Sequence, residues 1–129
     1  DSWAVDEEYR KRSPVNYLRN AKGRVRLQIA TGITDGHSGS VPISHSLLAF
    51  NEVADVKDRI GLKEIAFMTR EARLPDALER AAPDPSFGDK QPVFRRSSAT
   101  AAITIFDGGH EIIPAAAIAW MEGLYAERK

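Results

Sequence analysis

Two glycine-flanked loops hold the side chains of this chain that are best suited to moving protons. The first, Gly32-Ile33-Thr34-Asp35-Gly36-His37-Ser38-Gly39-Ser40, offers Asp35 and His37. The second, Asp107-Gly108-Gly109-His110-Glu111, offers Asp107, His110 and Glu111. Three glycines among nine residues allow the first loop positive φ and close turns. Each loop follows a stretch with strand character, and in open parallel sheets reactive groups gather beyond the carboxyl ends of the strands. An Asp after one strand and a His after a later strand can pair. The carboxylate accepts from the imidazole Nδ1–H and fixes the tautomer, which leaves the other ring nitrogen as a general base.

Each candidate also has an ordinary use. Asp107 precedes Gly108 and reads as turn chemistry, since Asp favours turns. His37 reads as a loop histidine or a substrate-side contact. His45, near a helix start, reads as structural or exposed. Glu111 reads as a cap or hydrogen-bond acceptor. Arg95-Arg96 could bind a substrate carboxylate or simply sit in water. A zinc site built from Asp35, His37, His110 and Glu111 is the ligand-chemistry alternative. No HExxH or comparable ligand spacing accompanies it, so neither a metal nor a cofactor is expected.

The elements that must position these loops follow from periodicity. Ser13-Pro14 reads as an N-cap and first helical position, opening a short helix over 14–19 that ends near Asn20. Val25, Leu27 and Ile29 alternate with polar residues, predicting a strand that runs on through Ala30-Thr31. Pro42 opens the next helix, whose apolar face is Ile43, Leu47, Phe50 and Ala54. Gly61 is expected to close it as the C′ residue. A second helical stretch spans 62–73, stopped by Pro75, with one more turn over 76–80. The segment 81–92 reads as loop, and Val93-Phe94 as a short extended piece. The run TAAITIF over 100–106 predicts a buried strand. A final helix over 114–128 would bury Ile113, Ala117, Trp120, Met121 and Leu124. The segment 1–12 is charged, with Trp3 and Val5 as anchors.

Strands alternating with helices imply an α/β protein with a parallel sheet. Two strands are too few for a self-sufficient parallel sheet, so the chain reads as part of a larger one. Its 129 residues amount to one domain, with 18 basic and 18 acidic side chains. That balance speaks against a nucleic-acid binder working through a basic field. The absence of cysteine excludes disulfides, thiolate ligands and a cysteine nucleophile. No apolar run approaches the roughly 20 residues of a membrane span, so no membrane partner is expected. The chain starts at Asp1, and its true beginning is expected to lie elsewhere.

Three stretches together carry a family resemblance: Ser13-Pro14-Val15-Asn16-Tyr17-Leu18, GITDGHSGSVPISHSLLAFNEVA over 32–54, and FDGGHEIIPAAAIAWME over 106–122. They resemble the C-terminal part of an α/β-hydrolase catalytic domain, most closely that of the prolyl oligopeptidase-like serine peptidases. The resemblance covers most of the chain from Ser13 onward and is weaker over 62–98. It implies a three-layer fold with a few parallel strands flanked by helices, and a triad in the order Ser, Asp, His. Asp35 would be the acid and His110 the base. The segment 62–98 would be a helical insertion or cap.

The chain departs from the family in lacking a Gly-x-Ser-x-Gly nucleophile elbow; the nearest string, Gly36-His37-Ser38-Gly39-Ser40, fails at its last position. No upstream His-Gly-Gly segment is present for an oxyanion hole. The expectation is therefore a partial α/β-hydrolase domain over 1–129, inactive alone, with the serine on sequence outside this chain. Its partners would be a peptide or ester substrate, the missing N-terminal part of the protein and, through the open edge of a truncated sheet, a second copy. The alternative is a non-catalytic, self-associating or binding module derived from the same fold.

Overall fold

The computed structural model describes residues 2–128, with the side chains of Ser2 and Trp3 excluded. The anchor expected at Trp3 therefore lies outside the described residues. The order of elements is α1 (Ser2–Arg12), β1 (Leu27–Gly32), α2 (Ile43–Val53), α3 (Leu62–Glu71), β2 (Pro92–Ser98), β3 (Ala101–Phe106) and α4 (Pro114–Glu127). Short 3-10 turns lie between them. Among the described residues no helix is long and apolar enough to cross a membrane.

The sheet runs β1-β3-β2. β1 and β3 are parallel and in continuous register, from Leu27 opposite Ala101 to Gly32 opposite Phe106. β2 is antiparallel to β3, so the small α/β sheet is mixed and not wholly parallel as expected. The reason is local. Only Ala99 and Thr100 separate β2 from β3, and a two-residue connection permits nothing but a hairpin. Ala99 takes φ +51 to make that turn.

The core lies between this sheet and the helix pair α2/α3. Ile43, Leu47 and Phe50 of α2, Ile65 and Met68 of α3, and Ile103 and Ile105 of β3 are all buried in it. Each such side chain contributes on the order of 1.5–3 kcal/mol by leaving water. Ile43, Leu47 and Phe50 are thus the inward face of α2, as their spacing predicts, and Ala54, one residue past its end, is buried with them.

Several local expectations are corrected. The charged segment 2–12 is helical, stabilised by Glu7–Arg10, Glu8–Lys11 and Glu8–Arg12 pairs at helical spacing. Val5 is exposed and anchors nothing. The helix expected over 14–19 is instead two 3-10 turns, Pro14–Asn16 and Leu18–Ala21. Gly61 does not end α2, which stops at Val53; it is the N-cap of α3. The segment 62–98 is not purely helical, because it contributes α3 to the core and β2 to the sheet.

α4 departs most from its pattern. None of its residues is buried. Ile113, Trp120 and Leu124 are half-buried, while Ala117 and Met121 are exposed. The sheet face beneath it is polar: Thr104 Oγ1 accepts from Gln28 Nε2 at 3.0 Å and from Arg95 Nε at 3.1 Å. Hollows of about 410 and 260 Å³ remain between α4 and that face. A polar floor gives an apolar helix little to bury against, so the predicted face does not seat.

Asp84 secures the segment that leads into β2. Its Oδ1 accepts from the Ser86 hydroxyl at 2.7 Å and the Ser86 N–H at 2.9 Å, and its Oδ2 pairs with Arg95 at 2.8 Å. The Ser86 hydroxyl foremost, then the Ser86 N–H and Arg95, hold the Asp84 carboxyl below the usual carboxylate range against the opposing effect of burial. A carboxyl depressed on folding contributes stability that is complete above its unfolded pKa, about 3.9, and lost as pH falls through the folded value. Asp84→Asn should therefore be less stable than the parent at neutral pH, with the gap closing in acid. Urea unfolding at a series of pH values measures this; a gap constant across the range counts against it.

Candidate active site

Asp35 lies three residues past β1, and His110 four residues past β3. The parallel register ends both strands at one level, since Gly32 sits opposite Phe106. The two loops then interlock. The Ile33 N–H donates to the Phe106 carbonyl at 2.9 Å. Both the Thr34 N–H, at 3.0 Å, and the Thr34 hydroxyl, at 2.9 Å, donate to the Gly108 carbonyl.

Glycine is required at this crossing. A Cβ on Gly32 would run into the backbone carbonyls of Gly108 and Gly109. Gly36 turns the first loop with φ +89, and a Cβ there would also press on Pro42 Cα, at 2.9 Å.

The interlock brings the two predicted groups together. His110 Nδ1 lies 3.2 Å from Asp35 Oδ1. The carboxylate can only accept, so Nδ1 carries the proton and donates. The Asp35 side chain is 9% exposed and that of His110 63%. The acid is thus held inside the loop crossing, while the base reaches out of it. The imidazole Nε2 makes no hydrogen bond among the described residues. The arrangement can take a proton at Nε2 and stabilise the resulting imidazolium from behind with a fixed carboxylate.

Thr31 is a member of the site that the sequence reading missed. Its buried hydroxyl donates to Asp35 Oδ2 at 2.7 Å. Each oxygen of the carboxylate therefore has its own donor. The available signal was parity. Thr31 shares an inward face with Leu27 and Ile29, and an inward hydroxyl near a strand end must find a partner.

The remaining candidates are employed elsewhere. His37 Nε2 lies 2.8 Å from the Thr69 carbonyl, which accepts its proton and ties the first loop to α3. Glu111 accepts from the Gly109 N–H at 3.1 Å and pairs with Lys90 at 3.5 Å. Asp107 is exposed, and its N–H closes onto the Gln91 carbonyl. The Ser38 hydroxyl is held by Thr34. His45 is exposed on the first turn of α2. Arg95 pairs with Asp84 and stacks on Phe87, while Arg96 donates to the carbonyls of Asp58 and Arg59 and stacks on Phe94. Both arginines have partners within the fold, and Arg95 stays exposed. Of the four groups considered as zinc ligands, Asp35 and His110 pair with each other while His37 and Glu111 are held elsewhere, and among the described residues no group of three His, Cys, Asp or Glu is placed to hold a metal ion.

Compared with protein-family models, with curated proteins and with solved structures, the chain matches none.

The crossing at Gly32 makes a direct prediction. Gly32→Ala should destabilise the fold by about 1–3 kcal/mol or more, because the new methyl meets backbone that cannot rotate away. It should also part Asp35 from His110. Chemical denaturation reads the first effect and the imidazole N–H resonance of His110 the second. Wild-type behaviour in both would show that the loops do not meet as described.

Proposed function

We propose that this chain is the Asp/His-bearing C-terminal part of a serine hydrolase, of the prolyl oligopeptidase-like peptidase type. The observation that carries the reading is the 3.2 Å contact between His110 Nδ1 and Asp35 Oδ1 beyond the carboxyl ends of two adjacent parallel strands. The order of the two groups along the chain and the family resemblance of the three stretches around them point the same way.

In this reading a serine on sequence outside the chain attacks the carbonyl carbon of a peptide or ester. His110 Nε2 takes the serine proton as the new C–O bond forms, then gives it to the leaving amine or alcohol as the scissile bond breaks. Asp35 holds the Nδ1–H tautomer and stabilises the imidazolium between these two transfers. Water repeats the sequence on the acyl-enzyme. The reaction needs no cofactor.

A second reading is a non-catalytic module that associates through its uncovered surfaces. Ile112, Ile118 and Met121 are exposed on and beside α4, and among the described residues β1 has a sheet neighbour on one side only. An unpaired strand edge and exposed apolar side chains both favour association.

Two measurements separate the readings. The coding DNA upstream of the Asp1 codon should contain a Gly-x-Ser-x-Gly elbow after a strand pattern. The intact protein should then be labelled by a fluorophosphonate probe, and the 129-residue chain alone should not. In the intact protein, Asp35→Asn should lower turnover by about 10⁴-fold, the scale set by losing a triad acid. A start codon just before Asp1 together with a self-associating, unlabelled chain would favour the binding module. Labelling of the isolated chain would move the nucleophile to a serine within it and overturn the assignment.

A further inference from the structure

The Asp35 carboxylate faces two donors of different kinds. His110 is largely exposed and reaches Asp35 across the loop crossing at 3.2 Å. Thr31 sits within β1, is almost fully buried, and presents its hydroxyl to Oδ2 at 2.7 Å. Thr31 is β-branched, so its χ1 has little freedom inside a packed strand. The backbone beneath the carboxylate is also pinned, since the Asp35 N–H donates to the Gly32 carbonyl at 3.1 Å. With the backbone fixed and Oδ2 held, rotation of the carboxylate about its last bond is blocked. Oδ1 is then left facing His110.

We propose that Thr31 is a positioning residue: through its hydroxyl it locks the plane of the Asp35 carboxylate so that one oxygen is dedicated to His110 Nδ1. This deepens the hydrolase reading and rests on it for the effect on turnover, but the lock itself belongs to this chain. Without the Thr31 hydroxyl, Oδ2 is a buried acceptor with no hydrogen-bond donor among the described residues. The carboxylate can then relieve that loss only by turning Oδ1 away from His110 toward another donor or water.

The side chain itself supplies the controls. Thr31→Val keeps the shape and removes the donor. Thr31→Ser keeps the donor and removes a methyl group. On the 129-residue chain, proton NMR should show a low-field, exchange-protected Nδ1–H resonance from His110, assigned by its disappearance in His110→Gln. The resonance should be lost or broadened in Thr31→Val and retained in Thr31→Ser. Thr31→Ala carries the same expectation as Thr31→Val where the valine variant does not fold. In the intact hydrolase, Thr31→Val should lower kcat by about 10- to 100-fold, the worth of one hydrogen bond to a charged group, with KM little changed. Thr31→Ser should restore most of it.

A wild-type resonance in Thr31→Val or Thr31→Ala overturns the proposal. So does a serine variant that fails as the valine variant does, because the role would then be packing by the methyl group. If the resonance depends on Thr31 but the intact protein resists the fluorophosphonate probe, the lock stands and the hydrolase reading falls.

Discussion

The contact on which the site depends is the crossing of two backbones at the ends of β1 and β3. Asp35 and His110 are 75 residues apart in sequence, and nothing local draws them together. The parallel register does so by ending both strands at one level. Gly32 then admits the Gly108–Gly109 backbone into the space where any side chain would stand. Three hydrogen bonds from Ile33 and Thr34 fasten the two loops. Ordering such loops costs conformational entropy of roughly 1–2 kcal/mol per residue for the backbone alone. The buried interface of α2 and α3 with the sheet offsets that cost, so the site draws its rigidity from a core that contains none of its polar groups.

The crossing also sorts the two groups by environment. A carboxylate withdrawn from water interacts more strongly with a nearby cation than one at the surface. Asp35 is placed in that position with both oxygens satisfied. The imidazole spans the boundary, with Nδ1 turned inward and most of the ring in solvent. The glycine-rich loops allow this division because backbone, not side chains, fills the volume around Asp35.

Much of this was legible in the sequence where one physical effect dominated. The run over 100–106 is apolar and partly β-branched, and it is the central strand, paired on both edges. Ile43, Leu47 and Phe50 at helical spacing are the inward face of α2. Asp35 and His110 could be named as a pair because each follows a strand and the family resemblance orders an acid before a base there; Asp107, equally glycine-flanked after a strand, is an exposed turn residue. β2 was legible only at Val93-Phe94, because Arg95 to Ser98 carry polar side chains that suit an edge strand and conceal its period. α1 was hidden because its sequence is charged and shows no apolar stripe; the ion pairs between its neighbouring turns are not a pattern that periodicity reads. The pattern of α4 is ambiguous. Its apolar residues cover more than one face of the helix, so their spacing could not say which face would pack.

The two faces of the sheet therefore differ in kind, and the site is built from the firmer one. On one side Ile103 and Ile105 meet α2 and α3 in a continuous apolar core. On the other, Gln28, Thr104 and Arg95 form a polar network beneath α4, with open space between. Thr31 has the parity of Leu27 and Ile29, which places its hydroxyl on the α2 side. His37 ties the same loop to Thr69 of α3. The acid, its Thr31 partner and the latch to α3 thus all belong to the packed side of the sheet. His110 is the member contributed by the strand that both sides share. His37 ties the loop that carries Asp35 to α3, so a change that loosens α3 acts on that loop directly, whereas α4 is connected to the pair through Glu111, Ile112 and Ile113, which join it to His110.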